Sequence, residues 1–267
     1  VIDPLVGYAT WLGGSNWDYV LDVAVDPQRN AYVVGQTASI DFPQQGGLGR
    51  AINGVYDAFV AKLDPSGSAL LWSAYLGGSG AVYNQFEAVV AVAVDGAQEP
   101  VITGYTDATD FPVTANAAQP ARAGDYDAFV CRLNASGSGF VFSTYLGGSA
   151  RELWSGLSGN LSFGGDVVLD SASQAIVIGS TLSTDLPVLN AMQTSLGGYD
   201  DAYLAKYGPT GALQTLSYFG GTGSDRGECL AIDAIGLVLM GGLTSSANHP
   251  TTPGAFQAFS NSAAISR

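Results

Sequence analysis

Short apolar runs rich in β-branched and aromatic residues recur along this chain, each stopped by paired glycines. Leu71–Gly78 (LWSAYLGG) is the clearest, and Tyr8–Gly14 (YATWLGG), Phe142–Gly148 (FSTYLGG) and Leu216–Gly221 (LSYFGG) repeat it. Such a run reads as a β-strand ending in a turn. Four copies make the chain a repeat protein.

Three further runs alternate with it in fixed order. The first ends in Asp: Asp22–Asp26, Val90–Asp95, Asp166–Asp170 and Cys229–Asp233. The second ends near Gly and Thr: Tyr32–Thr37, Val101–Thr106, Ile176–Thr181 and Leu239–Thr244. The third is Asp57–Leu63, Asp127–Leu133 and Asp201–Tyr207. With the Gly-Gly run last, these are strands a, b, c and d. Asp64-Pro-Ser-Gly67, Asn134-Ala-Ser-Gly137 and Gly208-Pro-Thr-Gly211 are tight-turn sequences between c and d. A longer b–c connection carries Asp41-Phe-Pro43, Asp110-Phe-Pro112, Asp185-Leu-Pro187 and Asn248-His-Pro250.

Antiparallel four-strand units without helical periodicity predict an all-β protein, a β-propeller of four blades. A single domain over residues 1–267 is expected, with blades near 18–78, 79–148, 149–221 and 222–267 plus 5–13. Tyr8–Leu12 is a d strand with no a, b or c before it. Ser262–Arg267 matches Asp57–Lys62 position for position and has no d after it. Pairing the two would close the ring and remove two exposed edges; the same strand could instead pair with a neighbouring molecule.

The succession of these four marks resembles the bacterial cell-surface β-propeller repeat of the SBBP type, across essentially the whole chain. The resemblance implies a secreted or surface-exposed module, often part of a larger chain, and brings no catalytic or metal residues.

Composition narrows the role. Apolar residues are 47% and charged residues 12%, which suits a packed core and not disorder. The 36 glycines follow no collagen period and fit many turns. A net charge of −14 repels nucleic acid and anionic lipid. No apolar run reaches the roughly 18–20 residues of a membrane helix. Cys131 and Cys229 make no metal-ligand pattern, and their places in strands of opposite blades predict no disulfide.

The interval from the a-strand Asp to the b-strand Gly is nine in every repeat, whereas the d-strand Gly to the next a-strand Asp spans 13, 18, 23 and 13. Variable loops on one face of a constant scaffold suggest the binding surface. Lys62, Arg132, Lys206 and Arg267 share one c-strand position, and Asp26, Asp95, Asp170 and Asp233 one a-strand position, so both sets read as scaffold.

The candidate ligand-binding residues are Trp17, Tyr19, Tyr83, Glu87, Arg151, Glu152 and Trp154, all in d–a loops. Aromatics beside carboxylates suit sugar stacking or cation binding; Trp17 and Trp154 could equally fold inward over the blade tops. Asp22 and Asp166 could face each other across the axis and hold a cation, or bond to neighbouring backbone. His249, the only histidine, reads as a packing residue. No cofactor is expected, with calcium the cation such carboxylates would suit. The expected function is a non-enzymatic extracellular or cell-surface module binding glycan or protein, or assembling with itself. The rival is a polysaccharide hydrolase or lyase using Asp18, Glu87, Glu152 or Glu228 as acid and base.

Overall fold

The computed structural model describes residues 6–52, 55–79, 87–152 and 164–257. Among these residues the fold is all-β, with fourteen strands and no helix. The strands are β1 (Asp18–Val25), β2 (Ala31–Thr37), β3 (Asp57–Leu63), β4 (Leu70–Leu76), β5 (Ala88–Val94), β6 (Pro100–Thr106) and β7 (Asp127–Leu133). There follow β8 (Phe140–Leu146), β9 (Asp166–Leu169), β10 (Ala175–Thr181), β11 (Asp201–Tyr207), β12 (Leu213–Phe219), β13 (Asp225–Ile232) and β14 (Val238–Thr244).

They form three antiparallel sheets of four strands, β1–β4, β5–β8 and β9–β12, and a two-stranded sheet, β13–β14. Each four-stranded sheet is a meander in the expected order a, b, c, d, and β13–β14 holds an a and a b strand. Register repeats as well: Gly35 stands opposite Phe59, Gly104 opposite Phe129 and Gly179 opposite Tyr203. In β1, β5 and β13 a one-residue bulge falls at the same place, at Leu21, Val90 and Glu228. A bulge bends and twists its strand.

The a strand of each sheet packs on the sheet before it: β5 on β1 and β2, β9 on β5 and β6, and β13 on β9, β10 and β11. Two cores result. One joins Tyr32, Val34 and Val60 to Val89, Val92 and Phe129; the other joins Val101, Tyr105 and Val130 to Val167, Val177 and Tyr203. Large aromatics also cross the junctions. Trp72 lies against Gly137 and donates its indole N–H to the Ala135 carbonyl at 3.1 Å, and Phe142 lies against Gly211 in the same way. Those turn glycines have φ of 67° and 90°, a region that excludes most side chains.

The N-terminal segment continues this pattern. Tyr8 lies against Gly67, and Leu12 packs with Phe42 and Phe59, as Leu76 packs with Phe111 and Phe129. The segment therefore sits on the first sheet where the d strand of a preceding sheet would sit. Tyr8–Leu12 itself forms no strand among the described residues, and its expected partner, Ala263–Arg267, lies outside them.

No closed ring is present among the described residues, and the two ends of the array are apolar and uncovered. Val20 and Val23 of β1 are 57% and 56% exposed, whereas their counterparts Val89 and Val92 in β5 are 0% and 6% exposed. At the other end Leu239 is 54% exposed, against 0% for the equivalent Val101.

Candidate functional site

The Gly-Gly turns are where the d–a loops begin, and each is held by two side chains. The first is an acid that opens strand a as Asp18 and Asp225, precedes it by one residue as Glu87, and lies 14 residues ahead of β9 as Glu152. Glu87 accepts from the Gly78 N–H at 2.9 Å and from Thr106 Oγ1 at 2.7 Å. Glu152 accepts from the Gly148 N–H at 3.1 Å, from Thr181 Oγ1 at 3.0 Å and from Ser183 Oγ. Asp18 bonds Gly14, Thr37 and Ser39, and Asp225 bonds Gly221 and Ser246.

The second is the first residue of the Asp-Phe-Pro mark. Asp41, Asp110 and Asp185 accept from the backbone N–H of Ser15, Ser79 and Ser149 at 2.8, 2.7 and 2.8 Å, and Asn248 accepts from Thr222 at 2.9 Å. The Ser15 and Ser149 hydrogen bonds draw Asp41 and Asp185 below the ordinary aspartate value.

This arrangement explains the paired glycines. A Cβ on Gly77 would lie 2.2 Å from Glu87 Oε2 and 3.1 Å from Asp57 Cγ, and one on Gly78 2.4 Å from Asp110 Oδ1. Only residues without a side chain fit between carboxyls drawn in so closely. Gly147 stands likewise between Glu152 and Asp127, and Gly220 between Asp201 and Asp225. Burial, aided by the neighbouring acids, pushes Glu87 and Glu152 each up to about 8. Burial also raises Asp127 and Asp201.

Glu87 and Glu152, nominated as ligand-binding residues, are placed inside the loop bases and not on the open loop surface. Both side chains are buried and held by loop backbone and hydroxyl groups. With Asp18 similarly engaged, three of the four acids nominated for acid–base chemistry serve as loop fasteners. The fourth, Glu228, is the half-buried bulge residue of β13. A spacing signal could have exposed the role: in three repeats the acid lies four residues after the second glycine, at 14 to 18, 148 to 152 and 221 to 225. Five extra residues between Gly78 and Glu87 hide it in the second repeat, where the interval is nine against four.

Asp22 and Asp166 take the alternative reading, bonding to backbone. Each reaches the next but related a strand: Asp22 Oδ2 accepts from Val92 N–H at 2.9 Å, and Asp166 Oδ2 from Leu230 N–H at 2.7 Å. Asp166 is raised by burial. Among the described residues no group of three or more metal-ligating side chains comes together. The c-strand cations meet the a-strand acids. Lys62 lies 3.7 Å from Asp26, Arg132 3.0 Å from Asp95 and Lys206 3.0 Å from Asp170. His249 packs edge-on against Phe219, with ring centroids 5.1 Å apart, in the place of Phe42 and Phe111.

Of the remaining candidates, Trp17 and Tyr19 are exposed, at 64% and 44%, and their rings stack with centroids 6.1 Å apart and planes at 11°. Trp17 thus does not fold inward. A groove of about 550 Å³ runs along residues 11–18, lined by Trp11, Ser15, Asn16 and Trp17. Arg151 is exposed, 3.4 Å from Asp125 and over the Tyr126 ring at 5.3 Å. Tyr83 and Trp154 lie outside the described residues. The structure therefore brings Trp17 and Tyr19 together and leaves Arg151 apart from them.

No protein family matches the chain, and no curated protein matches it in sequence.

Proposed function

We propose that the chain is a four-bladed β-propeller of the SBBP-repeat kind, serving as a non-enzymatic binding module on a bacterial surface or outside the cell. The repeated sheet order, the stacking of each a strand on the preceding sheet and the two uncovered apolar ends support the ring. In this reading Ala263–Arg267 and Tyr8–Leu12 complete the fourth blade and bring its face onto β1.

The ligand is a glycan or a protein loop, taken at the Trp17–Tyr19 platform. The observation that carries this is the exposed ring of Trp17, stacked on Tyr19 with planes at 11°. Flat apolar faces with polar groups at their rim suit pyranose rings. Trp17 immediately before β1 and Tyr19 within it present such a face at little entropic cost.

A glycan-array screen of the wild type and Trp17→Ala, with and without calcium, tests the reading. Binding that is lost in Trp17→Ala while the melting temperature holds is expected. Equal binding by both proteins, or cleavage of a polysaccharide in the same panel, overturns it.

A further inference from the structure

The Trp17–Tyr19 platform is set among acids. Asp18 lies between the two residues in sequence and opens β1. Asp41 is exposed and tied to Ser15, two residues before Trp17, by the Ser15 N–H at 2.8 Å and Oγ at 3.0 Å, both bonds ending on Oδ1. Those bonds draw Asp41 below the ordinary aspartate value, so it is ionised at neutral pH. Asp110 and Asp185 are placed alike, exposed, at the next two loops.

The cations of the described residues are engaged elsewhere. Arg29 belongs to the turn after β1, at the far end of that strand from Trp17. Lys62, Arg132 and Lys206 meet Asp26, Asp95 and Asp170, where strand a ends. Arg50 donates to the Gly77 carbonyl at 2.9 Å and Arg122 to the Asp125 carbonyl, while Arg151 and Arg226 pair with Asp125 and Asp200. In a chain with nine cations against 23 anions, the field over the first loop is negative. The face of an aromatic ring is negative too. Both attract a cation and oppose a sugar acid.

We propose that the platform takes a glycan bearing free amino groups, an oligomer of amino sugars, with a C–H face on the Trp17 ring and its ammonium groups towards Asp41. Trp17 backed by Tyr19 offers one open ring face, which suits a sugar. A lone lysine ammonium is held instead by a cage of several rings.

This rests on the glycan reading above and names its charge class. The fourth repeat supplies the variant that tests it. Asn248 accepts from the Thr222 N–H and Oγ1 at 2.9 Å each, as Asp41 does from Ser15. Asp41→Asn therefore keeps the loop bonds and removes the charge. Calorimetric titration, at a pH where the amines are protonated, compares a glucosamine oligomer, its N-acetylated counterpart of equal length and a uronic acid oligomer. The free-amine oligomer should bind the wild type about tenfold more tightly than the acetylated one. The difference should shrink in Asp41→Asn and in about 0.5 M salt, and Trp17→Ala should lose both ligands. Equal or tighter binding of the acetylated or uronic oligomer overturns the charge class and leaves the glycan reading standing. Amine binding undiminished in Trp17→Ala is adsorption to an acidic protein and overturns the proposal. Binding of a lysine-rich peptide with no oligomer bound, or of nothing in the panel, overturns the proposal and the glycan reading together.

Discussion

Glu152 and Gly148 are joined by a hydrogen bond of 3.1 Å from the glycine N–H to a carboxyl oxygen that also receives Thr181 and Ser183. Its other oxygen, Oε2, receives none among the described residues and is turned towards Gly147 beside Asp127. A carboxyl buried beside another acid keeps its proton, and both Glu152 and Glu87 titrate near 8 instead of in the usual carboxylate range.

The pH dependence follows. In the unfolded chain these acids lose their protons near their ordinary value of about 4.3. Between there and about 8 the folded state binds more protons, so stability falls as pH rises through that window and levels above it. Melting temperatures across pH 5 to 9 check this. Glu152→Gln, which mimics the protonated acid, should flatten part of the slope; an unchanged slope would show that Glu152 is ionised in the fold.

A second prediction concerns the glycine between the acids. Gly77→Ala places a methyl group 2.2 Å from Glu87 Oε2 and 3.1 Å from Asp57 Cγ, and the Glu87 carboxyl is held where it is by the Gly78 N–H and Thr106 Oγ1. Crowding of this kind costs about 1–3 kcal/mol. Denaturant midpoints should register the loss, and Glu87→Ala should recover part of it in the double variant, since the shorter side chain removes the clash.

The repeat order, the strand boundaries and the turn chemistry were legible in the sequence because they depend on local patterning. The a-strand acids and c-strand cations were legible as scaffold for the same reason, although their pairing across strands becomes visible only in the fold. The role of Glu87 and Glu152 was not legible. A buried carboxyl and an exposed one look alike as letters, and the loop insertion before Glu87 breaks the spacing that would relate it to Asp18. Trp17 illustrates the converse. Its size argues for burial, yet it lies just outside strand β1, at a position where the third and fourth repeats carry the exposed Arg151 and the half-buried Ser224.

The two thiols should separate by access. Cys131 is fully buried in β7, and burial raises its thiol far above the ordinary value; Cys229 lies exposed in β13. A thiol-reactive dye should modify one cysteine in the native protein and two in denaturant. Rapid native labelling of both would mean that the second sheet opens readily.

The three c-strand ion pairs should differ in weight, and burial decides the order. The Arg132 side chain is 2% exposed and bonds Asp95 at 3.0 Å, with Glu99 at 3.6 Å and the Ser173 carbonyl also in contact. Ser173 belongs to the turn between β9 and β10, so Arg132 ties the second sheet to the third. Lys206 is 34% exposed and has Asp170 as its acid. Removing Arg132 leaves Asp95 buried without its cation, and breaking a buried pair costs about 3–5 kcal/mol. Losing a partly exposed lysine costs about 1 kcal/mol or less, because the pair is already partly solvated. Arg132→Ala should therefore lower the denaturant midpoint several times more than Lys206→Ala. Arg132→Lys should recover little, because one ammonium cannot reach both Asp95 and the Ser173 carbonyl as the guanidinium fork does. Equal losses at the two positions would mean that the junction between the second and third sheets does not depend on this contact.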